Sequence, residues 1–301
     1  MSFLSIGEAM VELSQAEGDL WRLGFAGDTL NTAWYARACL PADWQVAYFT
    51  RIGTDRMSDR LERFIAGAGI DTRGIARDPA RTVGLYAIDL TDGERSFTYW
   101  RGQSAARHLA EDVGALERAI RDADCIYASG ITLAILPDEG RRTLLRLMGE
   151  ARRRGQITAF DPNIRPQLWD DRDTMRRWLT AAAAAASIAL PSFDDERAVF
   201  GDSDPAACAA RWQADGAGEV VVKNGGGPMA LATDAGVRTL DQAPRRSPRD
   251  STGAGDSFNG GYLAARLTAG TPEAAVARAH ALAMVVIDHP GALVPPDRLP
   301  R

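Results

Sequence analysis

Short apolar runs rich in β-branched and aromatic residues alternate along the chain with longer stretches of helical period, and that alternation leaves few architectures open. Phe3 to Ile6, Val46 to Phe49, Cys125 to Ala128, Ile157 to Phe160, Ile188 to Leu190 and Val220 to Val222 are the runs. They lack the regular polar alternation of half-exposed strands, so they belong in a parallel sheet covered on both faces. The intervening segments supply the cover. Thr143 to Arg154 sets Leu144, Leu147, Met148 and Ala151 along one face, and Leu116 to Ala123 is a second amphipathic stretch. The expected fold is α/β, a mostly parallel sheet with helices on both faces.

One region breaks the rhythm. Val83 to Leu90 and Arg95 to Arg101 are strand-like runs joined by Thr91-Asp92-Gly93-Glu94, an Asp-Gly turn signal. A hairpin cannot bury both its faces alone, so it is expected to join the Met10 to Leu13 region in a small projecting sheet. The chain then reads as a single domain, 1–301, with a β lid formed by about 9–24 and 82–103. Leu85, Tyr86, Ile88, Phe97 and Tyr99 on the hairpin need a cover, and a homodimer through the lid would supply one.

Charge removes several function classes. The formal net charge is −5 and no basic cluster reverses it locally, so nucleic acid is not expected as a partner. The N-terminus has no basic region and its apolar run meets Glu8, which argues against an export leader. The longest apolar stretch, Ala181 through Leu190, is too short to cross a bilayer. A cytoplasmic protein with no membrane partner is expected. Cys39, Cys125 and Cys208 are widely spaced without a CxxC pair, and His108, His280 and His289 give no zinc spacing with them; all six read as structural.

Four segments carry polar groups where such a sheet places ligands. Asp250-Ser251-Thr252-Gly253-Ala254-Gly255-Asp256 runs into a helical pattern. Gly253 and Gly255 let the backbone turn tightly and approach a ligand, and the helix start offers free N–H groups to an anion such as phosphate. Asp256, in the first turn, is expected to stay ionised and to accept a proton from an attacking hydroxyl. Taken alone, the segment reads equally as a glycine turn with an ordinary helix-start acid. The second segment is a buried strand ending in Lys223, the only lysine of the chain, followed by Asn224-Gly225-Gly226-Gly227. Val222 excludes a GxxxxGK[ST] loop, and the formal GxGxxA match at Gly225, Gly227 and Ala230 fails because Pro228 to Ala232 reads as a returning strand. A nucleotide can still lie over this turn. The third, Gly24 to Ala33, holds Gly27, Asp28 and Asn31, polar groups suited to sugar hydroxyls or simply to a helix cap. The fourth, Asp161-Pro162-Asn163-Ile164-Arg165, follows a strand directly, and Arg165 suits a carboxylate or phosphate.

In this order the segments resemble the ribokinase-like (PfkB) carbohydrate kinases over nearly the whole length. Asp250 to Asp256 is similar to that family's second signature, and Gly24 to Ala33 to its substrate-binding region. Within the family, Ile6 to Leu13, Gly27 to Thr32, Tyr99-Trp100-Arg101, Ser129 to Leu136, Asn163 to Trp169 and Gly291 to Pro295 resemble the bacterial 2-keto-3-deoxygluconate kinases. The resemblance implies a ribokinase-like fold and transfer of the γ-phosphoryl of MgATP to the 6-hydroxyl of that sugar acid. It implies Asp256 as catalytic base, with Gly253, Ala254 and Gly255 as the anion hole. It sets Gly27, Asp28, Asn31, Tyr86, Tyr99, Arg101 and Arg165 around the substrate, and Asn163, Ser192, Lys223, Asn224, Gly225 and Gly227 along the nucleotide. Phosphoryl transfer needs positioning, charge neutralisation and a base, which this set supplies. A carboxylate on the substrate would account for Arg101 and Arg165 together.

Two departures stand out. Where many relatives carry Asn-x-x-Glu, this chain has Ser192-Phe193-Asp194-Asp195, so Ser192 and Asp195 are its equivalents and no metal ligand is assigned. The Lys-x-Gly-x-x-Gly turn has Pro228 in its last place. A kinase for fructose, ribose or another neutral sugar is the near alternative. An NAD(P)-dependent oxidoreductase and a non-catalytic sugar-binding protein are the distant ones.

Overall fold

The computed structural model describes every residue except 17, 92–93, 243–246 and 301, so the Asp92-Gly93 turn lies outside the described residues. The chain runs β1 (Ser2–Ile6), β2 (Met10–Gln15), β3 (Trp21–Ala26), α1 (Asp28–Cys39), β4 (Gln45–Gly53), α2 (Arg56–Gly67), β5 (Ile75–Asp78), β6 (Leu85–Thr91) and β7 (Glu94–Trp100). It continues through α3 (Val113–Arg121), β8 (Cys125–Ser129), α4 (Gly130–Ile135), α5 (Asp138–Arg153), β9 (Ile157–Asp161), α6 (Arg172–Ala185), β10 (Ile188–Ala189), α7 (Phe193–Phe200) and α8 (Pro205–Ala214). It closes with β11 (Glu219–Val222), β12 (Met229–Thr233), β13 (Gly236–Leu240), α9 (Ala254–Leu267) and α10 (Pro272–Val286). No helix among the described residues is long and apolar enough to cross a membrane.

The large sheet has nine strands in the order β13-β12-β11-β10-β9-β8-β1-β4-β5. It is parallel from β11 to β5, and β12 and β13 fold back antiparallel at one edge. Successive residues of a strand enter opposite apolar layers: Ile126 and Ala128 of β8 join one, Cys125 and Tyr127 the other. Val220 and Val222 of β11 are divided from Val221 in the same way. Two-sided burial is why these runs are continuously apolar, each large side chain contributing about 1.5–3 kcal/mol on full burial. One layer is closed by α3, α5, α6, α7 and α8, the other by α1, α2, α9 and α10.

The second sheet has the order β3-β2-β6-β7. The hairpin joins the Met10 region as expected, β6 pairing in parallel with β2. The strand β3 was not anticipated, because Trp-Arg-Leu-Gly-Phe-Ala has no clean alternation and its extended form comes from antiparallel pairing with β2, Met10 opposite Ala26 through Gln15 opposite Trp21. Tyr86 and Ile88 are buried within the chain itself, whereas Phe97, Tyr99 and Trp100 remain exposed.

Helix α9 packs closely against both α1 and α10. A Cβ on Gly260 would stand 2.7 Å from the Thr32 carbonyl oxygen and 2.8 Å from the Tyr35 Cβ. Gly261, next to it, faces α10, where a Cβ would meet Leu282 at 2.9 Å. Two bare positions thus let α9 sink between its neighbours. The segment after α10 is fastened to α1: Tyr35 donates its hydroxyl to the Ala292 carbonyl at 2.7 Å, and Trp34 Nε1 donates to the Val294 carbonyl at 2.9 Å.

Gly260→Ala is expected to lower stability by about 1–3 kcal/mol through overpacking, read as a lower urea midpoint at unchanged slope.

Candidate active site

Strands β1, β8, β9, β10 and β11 all end at the same edge of the sheet, where open α/β folds gather ligand groups. A cavity of about 890 Å³ opens there. Each strand end contributes to it: Glu8 follows β1, Ile131 follows β8, Asp161, Asn163 and Arg165 come at the end of β9, Ser192 and Asp195 after β10, and Lys223 after β11. The starts of α1 and α9 add Gly27, Asp28, Asn31, Gly253, Gly255 and Asp256, and the small sheet adds Tyr86, Tyr99 and Arg101. A second cleft of about 280 Å³ lies beside it, lined by Asn224, Gly225, Gly227, Ala254, Phe258 and His280 among others. Ser192, Lys223, Ser251 and Gly255 line both cavities, so the two meet at the start of α9.

That helix start is built to receive an anion. Gly253 takes a left-handed φ of 76°, and no side chain caps the helix. Its first-turn N–H groups therefore have no intrahelical acceptor; that of Ala254 donates to the Ser251 carbonyl at 3.2 Å, and Gly255 lines both cavities. A Cβ at Gly253 would also meet the Ala292 carbonyl oxygen at 2.5 Å. Asp250 secures the loop by accepting from the Gly291 amide at 2.7 Å and the Thr252 amide at 2.9 Å.

Asp256 stands in the first turn, its Oδ2 accepting from Asn31 Nδ2 at 2.8 Å. Burial pushes its pKa up to about 7, the Asp28 carboxylate adds to the rise, and the Asn31 hydrogen bond opposes it. Against the expectation of a carboxylate kept ionised by the helix start, burial and the neighbouring carboxylates hold its pKa well above the usual carboxylate range. A base poised near the working pH is the favourable setting for proton transfer.

A network of buried amides and charges supports these groups. Asn163 donates Nδ2 to Asp28 at 2.9 Å and takes its own amide to Asp161 at 2.9 Å, with φ at 34°. Asp161 Oδ2 receives Lys223 Nζ at 2.7 Å and Asn259 Nδ2 at 2.6 Å; Asn259 Oδ1 in turn accepts from Lys223 at 3.1 Å. Behind them Asn259 reaches the Tyr127 hydroxyl at 3.1 Å.

The two arginines differ. Arg101 is buried in an ion pair with buried Glu8, so its charge already has an internal counter-ion. Arg165 is open to solvent, with one loose carboxylate neighbour, Asp195, at 3.5 Å. Burial raises the pKa of Asp195, and Arg165 works against that rise. Arg165 Nη1 donates to the Ile164 carbonyl at 2.7 Å, but of the two arginines only Arg165 lacks a tight carboxylate partner and can offer its charge to an incoming anion. Tyr86 donates its hydroxyl to Glu12.

All the residues assigned from sequence to catalysis, substrate or nucleotide line one cavity or the other. Asn163, assigned to the nucleotide, instead sits with Asp28 in the larger cavity. Sequence reasoning assigned no role to Glu8, Asp161, Ser251 or Asn259, and it read His280, which lines the smaller cleft, as structural. Asn259 had a signal, since it stands one turn after Asp256 on the same helix; His280 had none. Among the described residues, one group of three metal-type ligands exists, Glu196, Asp202 and Cys208, and it lies away from both cavities. Arg211 pairs with its carboxylates, 2.8 Å from Asp202, which makes it an ion-pair cluster.

Comparison with known proteins bears on this geometry. The family model described as pfkB family carbohydrate kinase matches residues 2–298. The chain is 39% identical over 303 residues to the 2-dehydro-3-deoxygluconokinase of Escherichia coli K12, covering 98% of this chain and 97% of that one. Its fold is similar to the crystal structure of a PfkB protein from Polaromonas sp. JS666, with a TM-score of 0.84 at 28% identity over 95% of this chain and 96% of that one. It is also similar to a putative ribokinase II from E. coli in complex with ATP and Mg²⁺, TM-score 0.82 at 22% identity over 97% and 94% of the two chains.

The acidic limb of the kcat/KM profile is expected near pH 7, reporting Asp256 in the free protein. Asp28→Asn removes a neighbouring negative charge and should move that limb to lower pH, while Asn31→Ala removes a donor to the carboxylate and should move it higher. A pH series of initial rates reads both.

Proposed function

Because the chain belongs to the pfkB family of carbohydrate kinases, we propose that it phosphorylates 2-keto-3-deoxygluconate on its 6-hydroxyl, with ATP as donor. The observation that carries this is the junction of the two cavities at Gly255, beside Asp256. On this reading the nucleotide lies over Asn224, Gly225 and Gly227, and its γ-phosphate reaches the start of α9. The sugar acid fills the larger cavity, held by Gly27, Asp28, Asn31, Tyr86, Tyr99 and Arg165, with Arg101 fixed behind it by Glu8. The near-full-length relative named 2-dehydro-3-deoxygluconokinase supports the choice of acceptor.

The acceptor oxygen forms a bond to the γ-phosphorus as the bond from that phosphorus to the β,γ-bridging oxygen breaks, and the leaving electron pair stays on ADP. The hydroxyl proton passes to Asp256, whose ionised fraction accepts it. The N–H groups of Gly253, Ala254 and Gly255, that of Ala254 shared with the Ser251 carbonyl, meet the charge spread over the equatorial oxygens. Ser192 and Asp195 fit a divalent ion held mainly by phosphate oxygens and water, since Ser192 lines both cavities and Asp195 faces the larger one with Arg165 at 3.5 Å as its ion-pair neighbour. Bound there, Mg²⁺ would supply charge neutralisation on the phosphates. The free thiols of Cys39, Cys125 and Cys208 accord with a cytoplasmic location, and the exposed Phe97, Tyr99 and Trp100 support a homodimer through the small sheet. The internal pairing of Arg101 favours one second reading, a neutral sugar as acceptor, because it leaves a single arginine to recognise a carboxylate.

A panel of sugars and sugar acids assayed for ADP release separates the two readings: the keto acid should be preferred, and a neutral sugar turned over better would overturn the first. Arg165→Ala should raise KM for the keto acid about 10- to 100-fold, the worth of a charged hydrogen bond, with little change for ATP. Equal effects on both would count against it.

Asp256→Asn should cut kcat by about 10²- to 10⁴-fold while leaving the fold intact. The native carboxyl titrates at about 7 against 3.8 when exposed, so its ionisation cost to stability builds as pH rises between those values. The amide variant should therefore melt higher than the parent at pH 8, with the gain shrinking toward pH 4, as thermal melts across pH will read.

A further inference from the structure

Lys223 is a buried ammonium between two carbonyl-bearing partners, and its placement exceeds what nucleotide anchoring needs. Its Nζ donates to Asp161 at 2.7 Å and to Asn259 at 3.1 Å, and among the described residues its third N–H meets no acceptor. The side chain is one-tenth exposed. The ammonium lies 3.6 Å from the position a Cβ on Gly255, the second residue of α9, would take, and Lys223 lines both cavities. The backbone is pinned as well: the Lys223 amide donates to the Pro191 carbonyl at 2.8 Å, and its carbonyl accepts from Phe193 at 2.8 Å. A long side chain is thereby held at both ends.

We propose that Lys223 is a catalytic residue that donates its uncommitted N–H to the phosphoryl group in transit, and that Asp161 and Asn259 are positioning residues that aim it. The proposal deepens the kinase reading and rests on it. Lys223 keeps all its protons through the step described above; its charge meets the oxygens of the group moving from the β,γ-bridging oxygen to the acceptor oxygen. A charge fixed before the reaction and turned toward where negative charge is redistributed acts on the transition state more than on bound ATP. A buried ion pair adds little to stability, so two partners spent on one lysine at the meeting point of donor and acceptor fit orientation better than support.

The test uses the full chain as Lys223→Met, as Lys223→Met with Asp161→Asn, and as Asp161→Asn alone. Melting temperatures establish folding first; the double variant removes both members of the pair and should fold. The result expected is a loss in kcat of about 100-fold or more in both Lys223 variants, with Kd for a non-hydrolysable ATP analogue within about threefold of the parent. Both should also lose tight binding of ADP with aluminium fluoride in the presence of acceptor. Asp161→Asn should lower kcat with both KM values unchanged. Three results would each overturn the proposal: kcat near the parent's in the double variant, a rise in analogue Kd that accounts for the whole loss, or a double variant that does not fold, which would make the pair structural. A parent chain that transfers phosphate to no acceptor of the panel would instead fail the kinase reading.

Discussion

Asn31 and Asp256 come within hydrogen-bonding distance because two helices touch at Gly260, and the chemistry at this site depends on that approach. Helix α1 brings the groups facing the acceptor, and helix α9 brings the amide-rich start and the carboxylate. Any side chain at the crossing would separate them, and a small misplacement of reacting groups is costly in rate. The arrangement is a packing solution to a catalytic requirement: the bare surface of α9 sets the distance, and the polar ends inherit it.

The ligand-free cavity carries more negative than positive charge. Asp28, Asp161, Asp195 and Asp256 face it, against Lys223 and the open Arg165, Arg101 being matched by Glu8. Burial raises the pKa of Asp195 and, further, that of Asp256, to about 7, so gathering these carboxylates in one cavity works against their ionisation. Such a site trades folding stability for reactivity, a common feature of functional clefts. The Lys223, Asp161 and Asn259 cluster is the fixed element within it, because every member is buried and hydrogen-bonded.

Much of the large sheet could be read from sequence because its strands are buried on both faces, which leaves apolar runs that no other element needs. The hairpin was legible through its turn chemistry. The strand β3 was not, since Trp21 to Ala26 is extended only by virtue of its partner β2. The same division holds at the site. Glycine turns and Asp256 declare themselves through local pattern, but the pairing of Arg101 with Glu8 and the raised pKa of Asp256 arise from neighbours far away in sequence. Burial and partner choice are tertiary facts, and they changed the meaning of an arginine and of the base without changing where either lies.

The fastening of Tyr35 to Ala292 joins residues 257 positions apart, and Trp34 reaches Val294 across 260. On a ribosome, therefore, the first helix must wait for some 260 further residues to emerge before its counterpart exists. Until then the glycine loop lacks the Ala292 carbonyl that backs Gly253, so the loop's final shape is set only after the helix it opens.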